Sequence, residues 1–220
     1  MAAAYLLEEI SIIIPCYWAN EDLITITDKC LHTLFPSPLQ VIVVDDGSPL
    51  KADFDYPMET IVLSENGGYA KAVNAGLKHA NGKVLIICNN DIEFVDPMWL
   101  AHITKPLEEG YDISSICTTD SDGWETEDVI TEGNKFGSLW AMKREVYEKL
   151  GGLDEGFGKG YFEDLDYHRR AEQAELRIGK NHAGLAHHEG KHTFKEIDPI
   201  DLHFYEARDK FIAKWGVDKL

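Results

Sequence analysis

An α/β fold with a mostly parallel central sheet flanked by helices is predicted by three observations. Short β-branched apolar runs alternate with helical patterns through the first half of the chain. Three of those runs end in polar tips. The runs are apolar along their whole length rather than alternating, as strands covered on both faces are.

The elements follow in order. ISIIIP (10–15) reads as a buried strand. Residues 21–34 space Leu23, Ile26, Thr27, Cys30, Leu31 and Leu34 along one helical face. QVIVVDDGS (40–48) is a second strand, and TIVLSENGG (60–68) a third that runs into glycines. The stretch 68–82 is a helix, closed by Asn81-Gly82 as its C-cap. GKVLIICNND (82–91) is the fourth strand. The acid-rich stretch 118–134 lacks periodicity and reads as a loop. After it come a strand (136–142), a short helix, a Gly-rich loop and a helix opening near Glu163. A strand over 184–188 ends in His187-His188, and 198–216 is a C-terminal helix with Pro199 near its first turn.

In parallel α/β sheets ligands bind at the carboxyl ends of the strands. Asp45-Asp46-Gly47, Asn66-Gly67-Gly68 and Asn89-Asn90-Asp91 all fall at such ends. Three polar tips on one sheet edge predict a site.

Composition narrows the function. The chain has 220 residues, 44% hydrophobic, enough for one ample domain. Lysine and arginine number 21 against 39 acids, a formal charge of −18. That balance argues against a nucleic-acid partner and against an anionic membrane surface. An acidic enzyme acting on an anionic substrate needs a metal ion or local basic groups as mediator. The 4 cysteines form no CxxC pair, so they read as buried thiols of a reducing, cytoplasmic compartment. The N-terminus lacks a basic segment, and Glu8 and Glu9 interrupt its apolar runs; neither a signal peptide nor a membrane span is expected.

Six segments, in order, carry a family resemblance: SIIIPCYWANEDL, VIVVDDGS, SENGGYAKAVNAGL, IICNNDIEF, GSLWAMKREVYEKLGGLDEGF with YFEDLDYHRR, and AHHEG. Together they resemble family-2 glycosyltransferases of the GT-A fold, particularly the rhamnosyltransferase-like branch. The resemblance implies one domain over 1–220. Its nucleotide-sugar-binding half is 1–95, and a smaller, mixed acceptor and catalytic half fills 96–220. It also implies inverting transfer of a sugar from a nucleoside diphosphate donor to a carbohydrate or other hydroxyl acceptor. A UDP-hexose is the expected donor, glucose first and dTDP-rhamnose second.

The resemblance assigns residues as well. Asp91 is the divalent-metal ligand, for Mn²⁺ or Mg²⁺, with Asn89 and Asn90 holding the loop or touching the donor. Asn89 departs from the family's DxD motif, replacing its first aspartate and leaving one carboxylate. His187 or His188 supplies an imidazole that tilts the choice toward Mn²⁺; His187, directly ending the strand, is preferred. Asp164 is the expected base, at a helix mouth whose dipole favours its ionised form. Glu163 is its reserve and Asp166 a brace, the alternative being ordinary acid enrichment of a helix N-terminus. Asp45 recognises the nucleotide base, between Pro15 and Tyr17, and Asp46 reaches the ribose; an Asx-type turn is the alternative. Asn66, Gly68 and Lys71 line the donor where the third strand meets its helix: Gly68 permits close backbone approach and Lys71 reaches the phosphates, or is a surface lysine, with Arg208 a weaker candidate. Trp124 and Trp140 are acceptor-side surfaces, or in the case of Trp140 plain core.

Three other classes are to be weighed. A nucleotidyltransferase carries a Gly-rich basic loop after its first strand, where this chain has PCYWANEDL. A dinucleotide oxidoreductase needs GxGxxG at the same place. A non-catalytic nucleotide-sugar-binding module remains open because Asn89 replaces the first aspartate. The QxxRW signature of membrane-bound synthases is absent.

Overall fold

Strand formation follows the β-branched runs. In a computed structural model, which describes residues 9–37, 39–119, 129–133, 137–190 and 202–216, β1 (Ile10–Cys16) and β4 (Val84–Cys88) are buried at every position. Between and beside them lie β2 (Gln40–Asp45) and β3 (Glu59–Val62). Beyond β4 come β5 (Ile92–Glu93), β6 (Ile113–Thr118), β7 (Ile130–Glu132), β8 (Leu139–Lys143) and β9 (Ile178–His188). The helices are α1 (Glu21–Leu34), α2 (Tyr69–His79), α3 (Trp99–Glu108), α4 (Arg144–Leu150), α5 (Glu163–Gln173) and α6 (Leu202–Trp215).

The sheet order is β3-β2-β1-β4-β8-β6-β9-β5, with β7 pairing β9. β3, β2, β1 and β4 run parallel. β8 then pairs antiparallel with both β4 and β6, and β6 pairs parallel with β9. The short β5 and β7 lie antiparallel to β9.

The period-2 alternation of the strands divides the core between two faces. Ile12, Ile14, Val41, Val43 and Ile86 pack with Leu23, Cys30 and Leu31 of α1 and with Trp99 and Ile103 of α3. Ile13, Ile42, Val44, Leu85 and Ile87 pack instead with Val73 and Leu77 of α2 and with Tyr167 of α5. A third cluster joins Phe157 to Ala207 and Phe211 of α6.

Three expectations change. The second helix ends at His79 with an extended Ala80, so Asn81-Gly82 is not its left-handed cap. Gly82 serves close packing: a Cβ there would stand 2.5 Å from Ser11 N. The exposed carbonyls at this helix end are instead taken by Arg144, whose Nε and Nη2 donate to Gly82 O and Ala80 O at 2.7 Å each. The last strand begins at Ile178 rather than 184, with a bulge where its pairing shifts from Asn181 to Leu185. Part of the stretch expected to be a loop is β7, paired to β9. Trp124 and Pro199 lie outside the described residues.

No helix among the described residues is long and apolar enough to cross a membrane.

Candidate functional site

Parallel pairing carries the carboxyl ends of β1, β2, β3 and β4 to one sheet edge. Pro15 lies within β1 opposite Val44, and Tyr17 follows the end of the strand, half-buried. Asp45 and Asp46 are both buried. Asp45 Oδ1 accepts from Ser48 N at 2.8 Å, the Asx-type turn that was the alternative reading of DDGS. Asp46 accepts from Gly67 N at 2.8 Å and Gly68 N at 2.7 Å, one per oxygen. Burial pushes its carboxyl up, and those two amides draw it back. Asp46 therefore fastens the end of β2 to the loop before α2.

That loop is built for close approach. Gly68 has φ +94°, and a Cβ on it would lie 2.2 Å from Gly158 O. Tyr69 N donates to Lys159 O at 3.0 Å, and Lys159 Nζ reaches both the carbonyl and the amide oxygen of Asn66. Lys71 is half-exposed: its stem lies over Gly67, where a Cβ would meet Lys71 Cδ at 2.2 Å, and its ammonium stands 3.9 Å from Glu65 Oε1.

The Asn89-Asn90-Asp91 tip separates three tasks. Asn90 is buried and donates to Thr27 Oγ1 of α1 at 2.8 Å, which holds the loop to the core. Asn89 Oδ1 accepts from the Tyr69 hydroxyl at 2.9 Å. Asp91 Oδ2 accepts from Gly190 N at 3.2 Å. Its Oδ1 is buried without a hydrogen bond, 3.2 Å from His188 Nε2. The imidazole beside Asp91 is thus that of His188. Successive β9 residues alternate faces, so the preferred His187 points away and meets Thr119 Oγ1 at 3.0 Å through Nδ1. Among the described residues no group of three or more His, Cys, Asp or Glu is arranged to hold a metal ion. The pair Asp91–His188 nevertheless offers one carboxylate oxygen and one imidazole nitrogen, a donor set that fits Mn²⁺ or Mg²⁺ when a ligand's own oxygens complete the shell.

Glu163 and Asp164 open α5 behind two consecutive left-handed residues, Tyr161 (φ 71°) and Phe162 (φ 67°). Backbone strain of this kind costs about 1–3 kcal/mol per residue and persists where surroundings enforce it. Here the enforcement is aromatic. Phe162 stands 5.4 Å from Phe204 and 5.5 Å from Phe211, and Tyr161 5.3 Å from Phe204. Glu163 is buried, its Oε2 without a hydrogen bond. Burial, then the neighbouring Asp164, pushes its carboxyl up to about 8. Asp164 is half-buried, and its Oδ1 accepts from Leu165 N at 2.7 Å. Asp166 is a brace: it accepts from Arg170 Nε and Trp215 Nε1 at 2.9 Å each and pairs with Lys214 at 2.7 Å.

Tyr69 ties these groups together. Burial raises its hydroxyl well above the ordinary range, reinforced by the charges of Glu163, Asp164 and Asp91. Sequence reasoning passed over Tyr69, Lys159 and Asn74. Asn74 clasps the 153–155 turn, accepting from Leu153 N and donating to Leu153 O and Glu155 Oε1. A tyrosine immediately after a glycine pair at a strand–helix junction was the available signal for Tyr69. Arg208 lies on α6, paired with Asp209 and 5.0 Å from the Tyr205 ring. Trp140 is core, 5.4 Å from Tyr167.

The model of the family described as "Glycosyl transferase family 2" matches residues 11–146, more than half of the chain. The protein belongs to glycosyl transferase family 2. A relative from Bacillus subtilis, the uncharacterized glycosyltransferase YwdF, is 33% identical over 115 residues, which cover 50% of this chain and 39% of YwdF. The chain thus spans well under half the length of that relative. Among solved structures, the mannosyltransferase PcManGT of Pyrobaculum calidifontis, in complex with GDP-Man and Mn²⁺, superposes with TM-score 0.62. Identity is 21%, over 91% of this chain and 64% of PcManGT. Glucosyl-3-phosphoglycerate synthase of Mycobacterium tuberculosis, in complex with Mn²⁺, UDP and glucosyl-3-phosphoglycerate, gives TM-score 0.65. Identity is 14%, over 96% of this chain and 81% of the synthase. These superpositions identify the family-2 fold as GT-A.

Proposed function

We propose that this family-2 protein is an inverting, metal-dependent hexosyltransferase acting on a nucleoside diphosphate sugar. The observation that carries the reading is the Asp91–His188 pair at 3.2 Å on the strand-end edge, beside Asn89 of the same loop, which Tyr69 holds at 2.9 Å. Donor-side and acceptor-side halves, 1–95 and 96–220, contribute one pole each.

Asp91 and His188 are the residues that would hold Mn²⁺ or Mg²⁺, whose contribution is to stabilise negative charge on the departing diphosphate. Asp45 faces the nucleotide base beside Pro15 and Tyr17, and Asp46 acts indirectly by fixing the amides of Gly67 and Gly68. Lys159, anchored on Asn66, joins Lys71, whose stem lies over Gly67, as a second cation at the loop. Asp164 takes the proton of the acceptor hydroxyl as the anomeric carbon is attacked from the face opposite the leaving group. Glu163 is buried and its carboxyl is raised to about 8, by burial first and Asp164 second, which favours its protonated form beside the proposed base.

UDP-glucose is the donor proposed first and dTDP-rhamnose second, the latter from the branch resemblance. The acceptor is a carbohydrate or another hydroxyl compound. All four cysteines are free and buried, which supports a reducing, cytoplasmic setting.

Nucleotide release from UDP-, dTDP- and GDP-sugars, with Mn²⁺ or with EDTA, tests the reading. One donor should be hydrolysed slowly, only with metal, and not by Asp91→Ala. Asp164→Asn should lose transfer by at least about 10²-fold, the usual worth of a positioned base, while donor binding stays. Loss of donor binding in Asp164→Asn would sink the base assignment; an unaltered protein that neither binds nor hydrolyses any donor would sink the activity.

A further inference from the structure

We infer that Tyr69 is a positioning residue that turns the Asn89 amide so that its NH₂ group donates to the diphosphate of the bound nucleotide. The inference rests on the donor-binding reading above and adds a residue to it.

The geometry is specific. Tyr69 opens α2, and its backbone N–H is held by Lys159 O at 3.0 Å, so the ring leaves the helix from a fixed point. Its hydroxyl donates to Asn89 Oδ1 at 2.9 Å. Burial keeps that hydroxyl protonated, and the nearby acids Glu163, Asp164 and Asp91 oppose its ionisation further. In this bond the hydroxyl donates to the amide oxygen, so the NH₂ of Asn89 faces the other way. Asn89 is half-exposed, and its Nδ2 has no hydrogen-bond partner among the described residues. Its neighbour Asn90 is spent on Thr27, and Asp91 lies beside His188. Asn89 is therefore the tip residue whose amide N–H groups are left for a ligand, beside the proposed metal-holding Asp91.

Charge gives the arrangement a purpose. The first position of the family's motif holds a carboxylate, which repels a diphosphate unless a metal intervenes. An oriented amide removes that repulsion and supplies N–H donors instead. In a site already carrying Asp91, Asp164 and the two carboxylates at the end of β2, an amide there lets the nucleotide be gripped by the protein before metal is counted.

The test is the affinity of the whole chain for UDP, dTDP and GDP in EDTA, where metal contributes nothing. Tyr69→Phe and Asn89→Leu should each weaken the tightest nucleotide about five- to tenfold, the net worth of one such hydrogen bond. The double variant should be no weaker than Asn89→Leu alone, since Tyr69 acts through Asn89. Asn89→Asp, which still accepts from Tyr69 but repels the diphosphate, should lose more than Asn89→Leu. Unchanged affinity in Tyr69→Phe, full additivity in the double variant, or tighter binding by Asn89→Asp would each overturn the inference and leave the family reading standing. If Tyr69→Phe melts far below the parent, the Asn89→Asp comparison decides alone. Failure of the unaltered protein to bind any of the three nucleotides, with or without Mn²⁺, would overturn the donor-binding reading and this inference with it.

Discussion

At the scale of single residues, the site works by giving chemically similar neighbours different surroundings. Asn89 and Asn90 are adjacent amides, yet one is held by Tyr69 at the open edge and the other is buried on Thr27. Glu163 and Asp164 are adjacent acids, yet only the first is buried without a hydrogen bond at one oxygen. That difference has a pH signature. The folded carboxyl of Glu163 sits at about 8 against an ordinary value of 4.5, so between those values the folded protein retains a proton that the unfolded chain has released. Stability contributed by this group is thus present at low pH and lost as pH rises through the window from about 4.5 to 8. Glu163→Gln should flatten the fall of melting temperature across that window. A variant whose melting curve tracks the parent at every pH would show that Glu163 is not protonated in the folded state.

At the scale of elements, α5 is positioned from its far side. Two left-handed residues precede it, and α6 supplies the rings that hold them, through Phe204 and Phe211. The polar counterpart is Asp166, whose side chain is fully buried and joins Arg170 of its own helix to Lys214 and Trp215 of α6. Asp166→Ala should cost about 2–3 kcal/mol by denaturant unfolding, the low end for a buried ion pair because Arg170 and Lys214 keep some solvent. Turnover should fall with it as α6 releases the helix that carries the base. An unchanged unfolding midpoint would mean that the aromatic contacts alone dock α6.

At the scale of the whole molecule, the formal charge of −18 acts against the fold and against the proposed ligand alike. Like-charge repulsion destabilises a compact state and is screened over about 10 Å at 0.1 M salt. Raising NaCl from about 10 mM to about 200 mM should therefore raise the melting temperature. A melting temperature that falls with salt would show that local ion pairs outweigh the net charge. The parallel half of the sheet brings its polar tips to one edge, while the antiparallel entry of β8 and the bulged β9 deliver His188 to the same edge from the other half.

Much of this protein is legible in the chain itself. β-branched runs set β1, β2 and β4, because residues buried on both faces leave no polar alternation to misread. The 3.6-residue spacing of Leu23, Ile26, Thr27, Cys30, Leu31 and Leu34 set α1, all six of them buried. The polar ends of those strands marked the site, and ordered motifs marked the family. β7 was hidden because three residues with no apolar alternation pair only when β9 offers an edge. Three contacts required tertiary structure for a plainer reason, that their partners are far apart in sequence. His188 rather than His187 meets Asp91 because register and the strand pleat decide which neighbour turns inward. Asp46 is spent on Gly67 and Gly68, 21 and 22 positions away. Tyr69 reaches Asn89 because α2 packs closely on the sheet, where a Cβ on Gly76 would stand 2.4 Å from Ile13 Cγ2. Local pattern determines which residues form each element, and only packing between distant elements decides which side chains share a site.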